Sequence, residues 1–326
     1  MKTLLVTGGC GFIGSNFIRF FLSQHSDYRV INLDKLTYAG NIENTRDFQE
    51  NTRYEFIHGD IADETLLRKI FARKLDGVIH FAAETHVDRS IDDANDFLVT
   101  NVLGTMALLE ATRLSKVPRF LHISTDEVYG SLEKGEAKEH FPLEPNSPYS
   151  AAKAASDLLV RAYWKTYAYP AMIVRSSNNY GPYQFPEKVI PLFITNLIEG
   201  KKVPLYGNGK NRREWIFVED NCRAIDLVFN QGKPGEIYNL GTGHELSNID
   251  LTRTILKQMG FDESFIAYVE DRRGHDFRYA IDLTKIKSLG FAPKWSFEKG
   301  LSHTIQWYKE NSTWWKPLKK DKFTLK

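Results

Sequence analysis

Residues 3–14 read TLLVTGGCGFIG, an apolar run that passes through Gly8, Gly11 and Gly14 in G-x-x-G-x-x-G spacing into an amphipathic stretch. Without side chains, Gly8 and Gly11 let the backbone turn tightly and approach a pyrophosphate. The helix N-terminus that follows stabilises such a group with free amide donors. Glycines also serve plain turns and close packing, so the context decides. Asp34 ends the next apolar run, 20 residues after Gly14, where a carboxylate accepts hydrogen bonds from a ribose diol. Strand, glycine turn, helix and acid together predict a dinucleotide-binding fold. The acid repels a 2′-phosphate, so NAD is expected over NADP, with Lys35 working against that preference. Asp60 closes the third apolar run and is placed to meet the adenine; taken alone it is an ordinary turn acid.

Outward from this stretch, apolar runs at 3–8, 29–34, 54–60, 77–83, 119–125 and 171–177 alternate with helical stretches near 12–24, 63–73, 95–115 and 148–168. Near-continuous hydrophobicity fits strands covered on both faces, and crossovers of this length are right-handed. The expected fold class is α/β, a doubly wound parallel sheet of Rossmann type. After Ser177 the rhythm changes, with Pro, Gly and aromatics crowding into NNYGPYQFPEKVIP and VPLYGNGKNRREW. Helices at 188–200, from about 219, at 248–259 and at 298–310, with a strand at 236–241, predict a smaller mixed α/β substrate-binding domain. The expected division is 1–176 plus about 215–246 for the cofactor domain, and 177–214 plus about 247–326 for the second. The final KPLKKDKFTLK reads as a solvated basic tail.

Composition narrows the partners. The chain has 326 residues, is 42% hydrophobic and carries a formal charge of +2, so no global field favours nucleic acid or an anionic membrane. The apolar stretch after Met1-Lys2 is too brief for a signal-peptide core, and no run approaches membrane-spanning length. Cys10 and Cys222 lie far apart in no metal-ligand pattern, which suits a reducing cytosol and a cytoplasmic location. His80 and His122 read as satisfied core residues and His86 as a neighbour of the substrate. No metal is expected.

The second strong signal is SPYSAAK, residues 147–153. Ser147 is a plausible N-cap, Pro148 fits the first helical position, and Tyr149 and Lys153 share one helix face at i and i+4. The lysine charge, near the phenol or a cofactor ribose, lowers the tyrosine pKa from about 10 toward working pH. A tyrosine so tuned takes a proton from a secondary alcohol while hydride leaves for nicotinamide. Y-x-x-x-K alone is common in ordinary helices; the glycine turn and Thr125 at a strand end give it meaning.

GGCGFIG, YSAAK and Thr125 together resemble the extended short-chain dehydrogenase/reductases, which act largely on nucleotide sugars. The longer segments DKLTYAGN, AAETHVDRSI, STDEVYG, SNNYGPYQFPEK and DRRGHDFRYAID look like the dTDP-glucose 4,6-dehydratase family over nearly the whole chain. The resemblance implies a tightly bound NAD that is regenerated each cycle and dTDP-glucose as substrate. It further implies that Tyr149 takes the C4 hydroxyl proton, Glu127 removes the C5 proton, Asp126 protonates the departing C6 hydroxyl, and Thr125 holds the C4 oxygen. An isolated Thr-Asp-Glu at a strand end more commonly caps a helix. Related epimerases lack the Asp-Glu pair, so these two residues carry the choice of dehydratase. Another NAD-dependent nucleotide-sugar 4,6-dehydratase or an epimerase (of a UDP-sugar, for example), a decarboxylase on the same scaffold and a non-catalytic NAD-binding protein are the alternatives.

The same matched segments imply further contacts. Phe12, Ile13, Thr37, Ile61, Ala82, Ala83, Thr100 and Asn179 are expected beside the cofactor, with Tyr149 and Lys153. Thr85 is expected near the hexose, and Asn178, Lys188, Val189, Arg213, Asn248, Arg272 and His275 near the nucleotide or pyrophosphate. Pro204 and Tyr206 are expected to wall the base, although the same segment also reads as an ordinary buried strand. Thymidine and uridine diphosphates differ by one methyl, worth roughly 1 kcal/mol of burial, and the sequence does not locate that contact. The helix at 95–114 is apolar over more of its circumference than one buried stripe needs. With 148–168 it is expected to form a homodimer, which the resemblance also implies.

Overall fold

The computed structural model describes residues 1–271 and 274–320. β1 (Lys2–Thr7) is buried at every position after Lys2, as a strand covered on both faces must be. The chain continues through α1 (Phe12–Gln24), β2 (Tyr28–Asp34), β3 (Tyr54–His58), α2 (Glu64–Phe71), β4 (Gly77–His80), α3 (Val87–Asp92) and α4 (Asn95–Leu114). β5 (Phe120–Thr125), α5 (Pro148–Tyr167) and β6 (Ala171–Ser176) complete the regular alternation. Then come β7 (Asn178–Tyr180), α6 (Val189–Ile198), β8 (Val203–Tyr206), β9 (Arg212–Phe217), α7 (Val218–Gln231) and β10 (Ile237–Leu240). β11 (Glu245–Ser247), α8 (Asn248–Met259), β12 (Ile266–Val269), α9 (Thr284–Ser288), α10 (Phe297–Glu310) and α11 (Ser312–Lys320) close the described chain.

Seven parallel strands form the main sheet in the order β10-β6-β5-β4-β1-β2-β3. The order reverses between β1 and β4, so the strand ends there splay into a crevice. Phe17, Phe21 and Phe229 pack one face of the sheet with α1 and α7; Leu67, Ile70, Leu108 and Val160 pack the other with α2, α4 and α5. Each large side chain so buried contributes about 1.5–3 kcal/mol. A second core gathers Trp215, Phe297, Tyr308 and Trp315 around α6, α8 and α10. Local capping fixes the helix starts: Asp63 accepts from Thr65 and Leu66 amides before α2, and Ser147 and Ser150 form a reciprocal capping box at α5.

Three features differ from the sequence reading. β9 joins β7 and β11 in a three-stranded sheet, so the chain returns to the main sheet with α7 and β10 rather than at 215. The reason is its alternation: Ile216 faces the first core while Trp215 and Phe217 face the second. The expected solvated tail instead begins inside α11, where Trp315 is fully buried and Lys319 Nζ donates to Asn196 Oδ1 at 2.7 Å. Finally, α4 is apolar and long enough to cross a membrane by length and composition. Its buried side packs against α2 and α5, and Leu98–Gly104 within it is π-helical.

Candidate active site

One cleft runs along the C-terminal edge of the main sheet, from the glycine turn to Lys188. Gly8, at φ +73°, lies so close to β4 that an added Cβ would stand 2.6 Å from the Ala82 amide nitrogen. A Cβ on Gly14 would meet the Gly8 carbonyl at 2.3 Å. No side chain caps the start of α1, and its first turn carries no acid, so the amides there remain available to an anion. Asp34 is buried and accepts from the Cys10 and Leu36 amides, each at 2.8 Å. Lys35 is engaged: its Nζ lies 2.7 Å from Asp60, which leaves Asp34 the acid facing a ribose. These residues fit a dinucleotide lacking a 2′-phosphate.

The cleft gathers every residue that the sequence assigned to the cofactor, from Gly8, Gly11, Phe12, Ile13 and Gly14 through Thr37, Ile61, Ala82, Ala83 and Thr100 to Asn179. Thr125, Asp126, Glu127, Tyr149 and Lys153 line it too, with Thr85, Asn178 and Lys188. Thr125 caps the 3-10 turn Asp126–Tyr129: its Oγ1 accepts from the Glu127 amide at 3.3 Å and donates to Asp126 Oδ1 at 3.2 Å. The capping reading of this threonine therefore holds alongside its place in the cleft. Asp126 Oδ2 is buried and makes no hydrogen bond among the described residues. The same is true of Ser124 Oγ, Ser177 Oγ, Asn178 Oδ1 and Asn179 Oδ1, all on cleft residues. Buried polar atoms are rarely left unsatisfied, and their convergence here marks the place of a polar ligand.

Burial, then the Glu127 and Glu214 carboxylates, hold Asp126 well above the usual carboxylate range. Tyr149 does not show the expected depression. Burial, then Glu127, Asp126 and Tyr38, push its phenol well above 10, and a hydrogen bond from Thr125 alone opposes them. Beside it, Lys153 Nζ donates to the Ile123 carbonyl at 2.6 Å, and burial lowers its own pKa to about 8.

Other expected residues stand outside the cleft lining. Val189 packs against the second core, Pro204 sits in β8, and Asn248 opens α8, its amide bound to the Asn211 carbonyl at 2.9 Å. Arg213 donates to the Asp276 carbonyl at 2.8 Å and covers the Tyr279 ring at 4.2 Å; its charge still reaches Asp126. Tyr206 lies edge-on to His275, which pairs with Asp271 at 2.6 Å. Arg272 lies outside the described residues. His80 is satisfied by Thr7 and Thr105; His122 is a buried core residue as expected, but neither of its ring nitrogens makes a hydrogen bond among the described residues. His86 pairs with Glu187 at 3.4 Å and is not in the lining. Among the described residues no cluster of three His, Cys, Asp or Glu side chains is placed to hold a metal.

Sequence reasoning passed over Tyr38, Glu84 and Glu187, which also line the cleft. Arg89 covers the Tyr38 ring at 3.8 Å and approaches Glu187 at 3.6 Å. Asn101, in the π-helical segment of α4, accepts from the Glu84 amide at 2.8 Å and returns a bond to its carbonyl. The signal was their company: all three fall inside the distinctive segments around Thr37, Thr85 and Lys188.

The sequence family described as GDP-mannose 4,6 dehydratase matches residues 5–304. The chain belongs to this family. Among curated relatives, a dTDP-glucose 4,6-dehydratase of Streptomyces niveus is 50% identical over 321 residues, covering 97% of this chain and 95% of its own length. A solved dTDP-glucose 4,6-dehydratase of Streptomyces venezuelae, with NAD and TYD bound, is 52% identical with a TM-score of 0.95, covering 98% of this chain and 100% of that one. The fold extends beyond dehydratases. A UDP-glucose 4-epimerase of Thermotoga maritima, solved with UDP-glucose, has a TM-score of 0.89 at 30% identity over 95% of this chain and 100% of its own. Membership of the dehydratase family thus sits on a scaffold shared with epimerases.

Proposed function

We propose that this protein is an NAD-dependent dTDP-glucose 4,6-dehydratase, which converts dTDP-glucose to dTDP-4-keto-6-deoxyglucose and water. The observation that carries the reading is the pair of adjacent carboxyls, Asp126 and Glu127, lining one cleft with Tyr149 and Thr125; burial raises the Asp126 carboxyl and so favours its acid form. Bound NAD supplies a hydride acceptor at C4 and gives the same hydride back at C6, so the cycle has no net redox change. Tyr149 takes the C4 hydroxyl proton; the positive charge of the oxidised nicotinamide opposes the burial and carboxylates that raise the phenol. Once C4 is a ketone, the C5 proton is acidic enough for Glu127 to remove, and Asp126 delivers a proton to the leaving C6 hydroxyl. Thr125 orients Asp126 and offers its hydroxyl to the C4 oxygen. Gly8, Gly11 and the α1 amides hold the pyrophosphate of NAD, and Asp34 its adenosine ribose.

The nucleotide sugar enters from the 177–214 and 247–320 side. Asn178, Lys188 and Thr85 meet it within the cleft, and Arg213, Asn248, His275, Tyr206, Pro204 and Val189 meet it beyond the lining. The protein acts as a homodimer in the cytoplasm. Support for the dimer is the apolar row Leu98, Val99, Leu103 and Met106 on α4, each 43–51% exposed, beside Leu158 on α5.

Glu127→Gln separates this reading from an epimerase. Dehydration should fall by roughly 10²–10⁴-fold, while a single turnover still reduces bound NAD. Unchanged water loss in the variant would remove Glu127 from the role of base.

A further inference from the structure

Asp157 lies one turn beyond Lys153 on the same face of α5, almost wholly buried. Its Oδ2 accepts from Arg175 Nε at 2.8 Å. Its Oδ1 makes no hydrogen bond among the described residues and stands 3.5 Å from His122 Nε2. Arg175 is itself buried and fixed, donating to the Tyr129 hydroxyl at 2.8 Å and to the Glu139 carbonyl at 3.2 Å. Tyr129 in turn donates to Asn239 Oδ1 at 2.8 Å. A buried arginine–carboxylate pair roughly breaks even against apolar packing, so stability alone does not account for it. Its consequence is a carboxylate clamped in one place.

The charge nearest in function is Lys153, 4% exposed, whose ammonium donates to a backbone carbonyl and forms no ion pair among the described residues. On its own helix it is flanked by Tyr149 and Asp157. His80 on β4, His122 on β5 and Arg175 on β6 line the sheet side, and Asp126 and Glu127 lie on the turn packed against α5. Both histidines are held neutral by burial and add no charge. Burial works against the lysine cation; the Ile123 carbonyl and the buried Asp157 carboxylate, one turn on along the same helix face, support it.

We propose that Asp157, locked in place by Arg175, is a positioning residue that keeps Lys153 cationic beneath the cleft and thereby sets the alkaline limit of NAD binding and turnover. The inference builds on the dehydratase reading of Tyr149 and Lys153. Asp157→Asn keeps an oxygen for Arg175 and removes the charge. NAD affinity, by calorimetry on protein freed of nucleotide, and the rate of water loss from dTDP-glucose are followed across neutral and alkaline pH. The alkaline limb of both profiles is expected to move to lower pH by about one unit, a tenfold loss at a fixed alkaline pH.

A folded variant whose two limbs coincide with wild type overturns the proposal. Should the single variant not fold, Asp157→Leu with Arg175→Met replaces the pair by apolar side chains and is read on the same scale. The dehydratase reading is judged separately, by whether wild type releases water at neutral pH. The NAD-affinity profile judges Asp157 whatever that answer is.

Discussion

At the residue scale, Asp126 connects catalysis to stability. Its folded pKa is raised by burial and by neighbouring carboxylates, so its contribution to stability is fully present below the unfolded value of about 4. That contribution is lost as pH rises through the folded pKa, because the unfolded chain ionises freely while the folded site resists. Asp126→Asn removes the penalty and keeps an acceptor for Thr125. The variant should melt above wild type in mildly alkaline buffer, with the two curves converging toward pH 4, while dehydration falls by about 10²–10⁴-fold. Calorimetric melts across pH check this; a wild type and variant that differ equally at every pH would show that Asp126 carries no shifted proton. The sequence announced Asp126 and Glu127 as a pair, but the burial that chiefly raises Asp126, and the Glu214 carboxylate on β9 that adds to it, are tertiary and distant in sequence. Likewise the burial and the neighbouring carboxylates that hold the Tyr149 phenol up are tertiary, and the i, i+4 spacing of Lys153 does not say that its ammonium is bound to the Ile123 carbonyl.

At the element scale, the legible parts were those whose signal is local. Six parallel strands and their crossover helices follow from apolar runs and punctuation, and several of the expected cofactor residues, such as Gly8, Gly11 and Asp34, are legible because they sit at a strand end or in the glycine turn. The short strands β7, β8, β11 and β12 are three or four residues long and get their partners from afar, so periodicity could not reveal them. β9 faces two cores and could not be apportioned from composition. The substrate residues beyond Lys188 were read from matched segments, and their burial against carbonyls, as for Arg213, is a tertiary property. The exposed apolar row on α4 belongs to this scale too. Leu103→Asp should weaken self-association by roughly 10²–10⁴-fold, since a two-fold interface loses two buried leucines at about 1.5–3 kcal/mol each. Sedimentation velocity would show the variant as monomer at concentrations where wild type is a dimer; a wild type that sediments as monomer would contradict the interface.

At the scale of the whole molecule, the main sheet supplies a crevice at its switch point, and one cleft is lined by the glycine turn, Asp126, Glu127 and the 176–188 residues together. Such an arrangement suits a reaction that lends a hydride and takes it back without releasing the intermediate. The central claim is that internal return, and dTDP-[4-²H]glucose tests it most directly. Incubated with the NAD-loaded protein and no added reductant, it should give by mass spectrometry and NMR a product lighter by one water, with the deuterium at C6 and no stoichiometric NADH. A sugar of unchanged mass, or a dehydrated product that has lost the deuterium, would contradict the account.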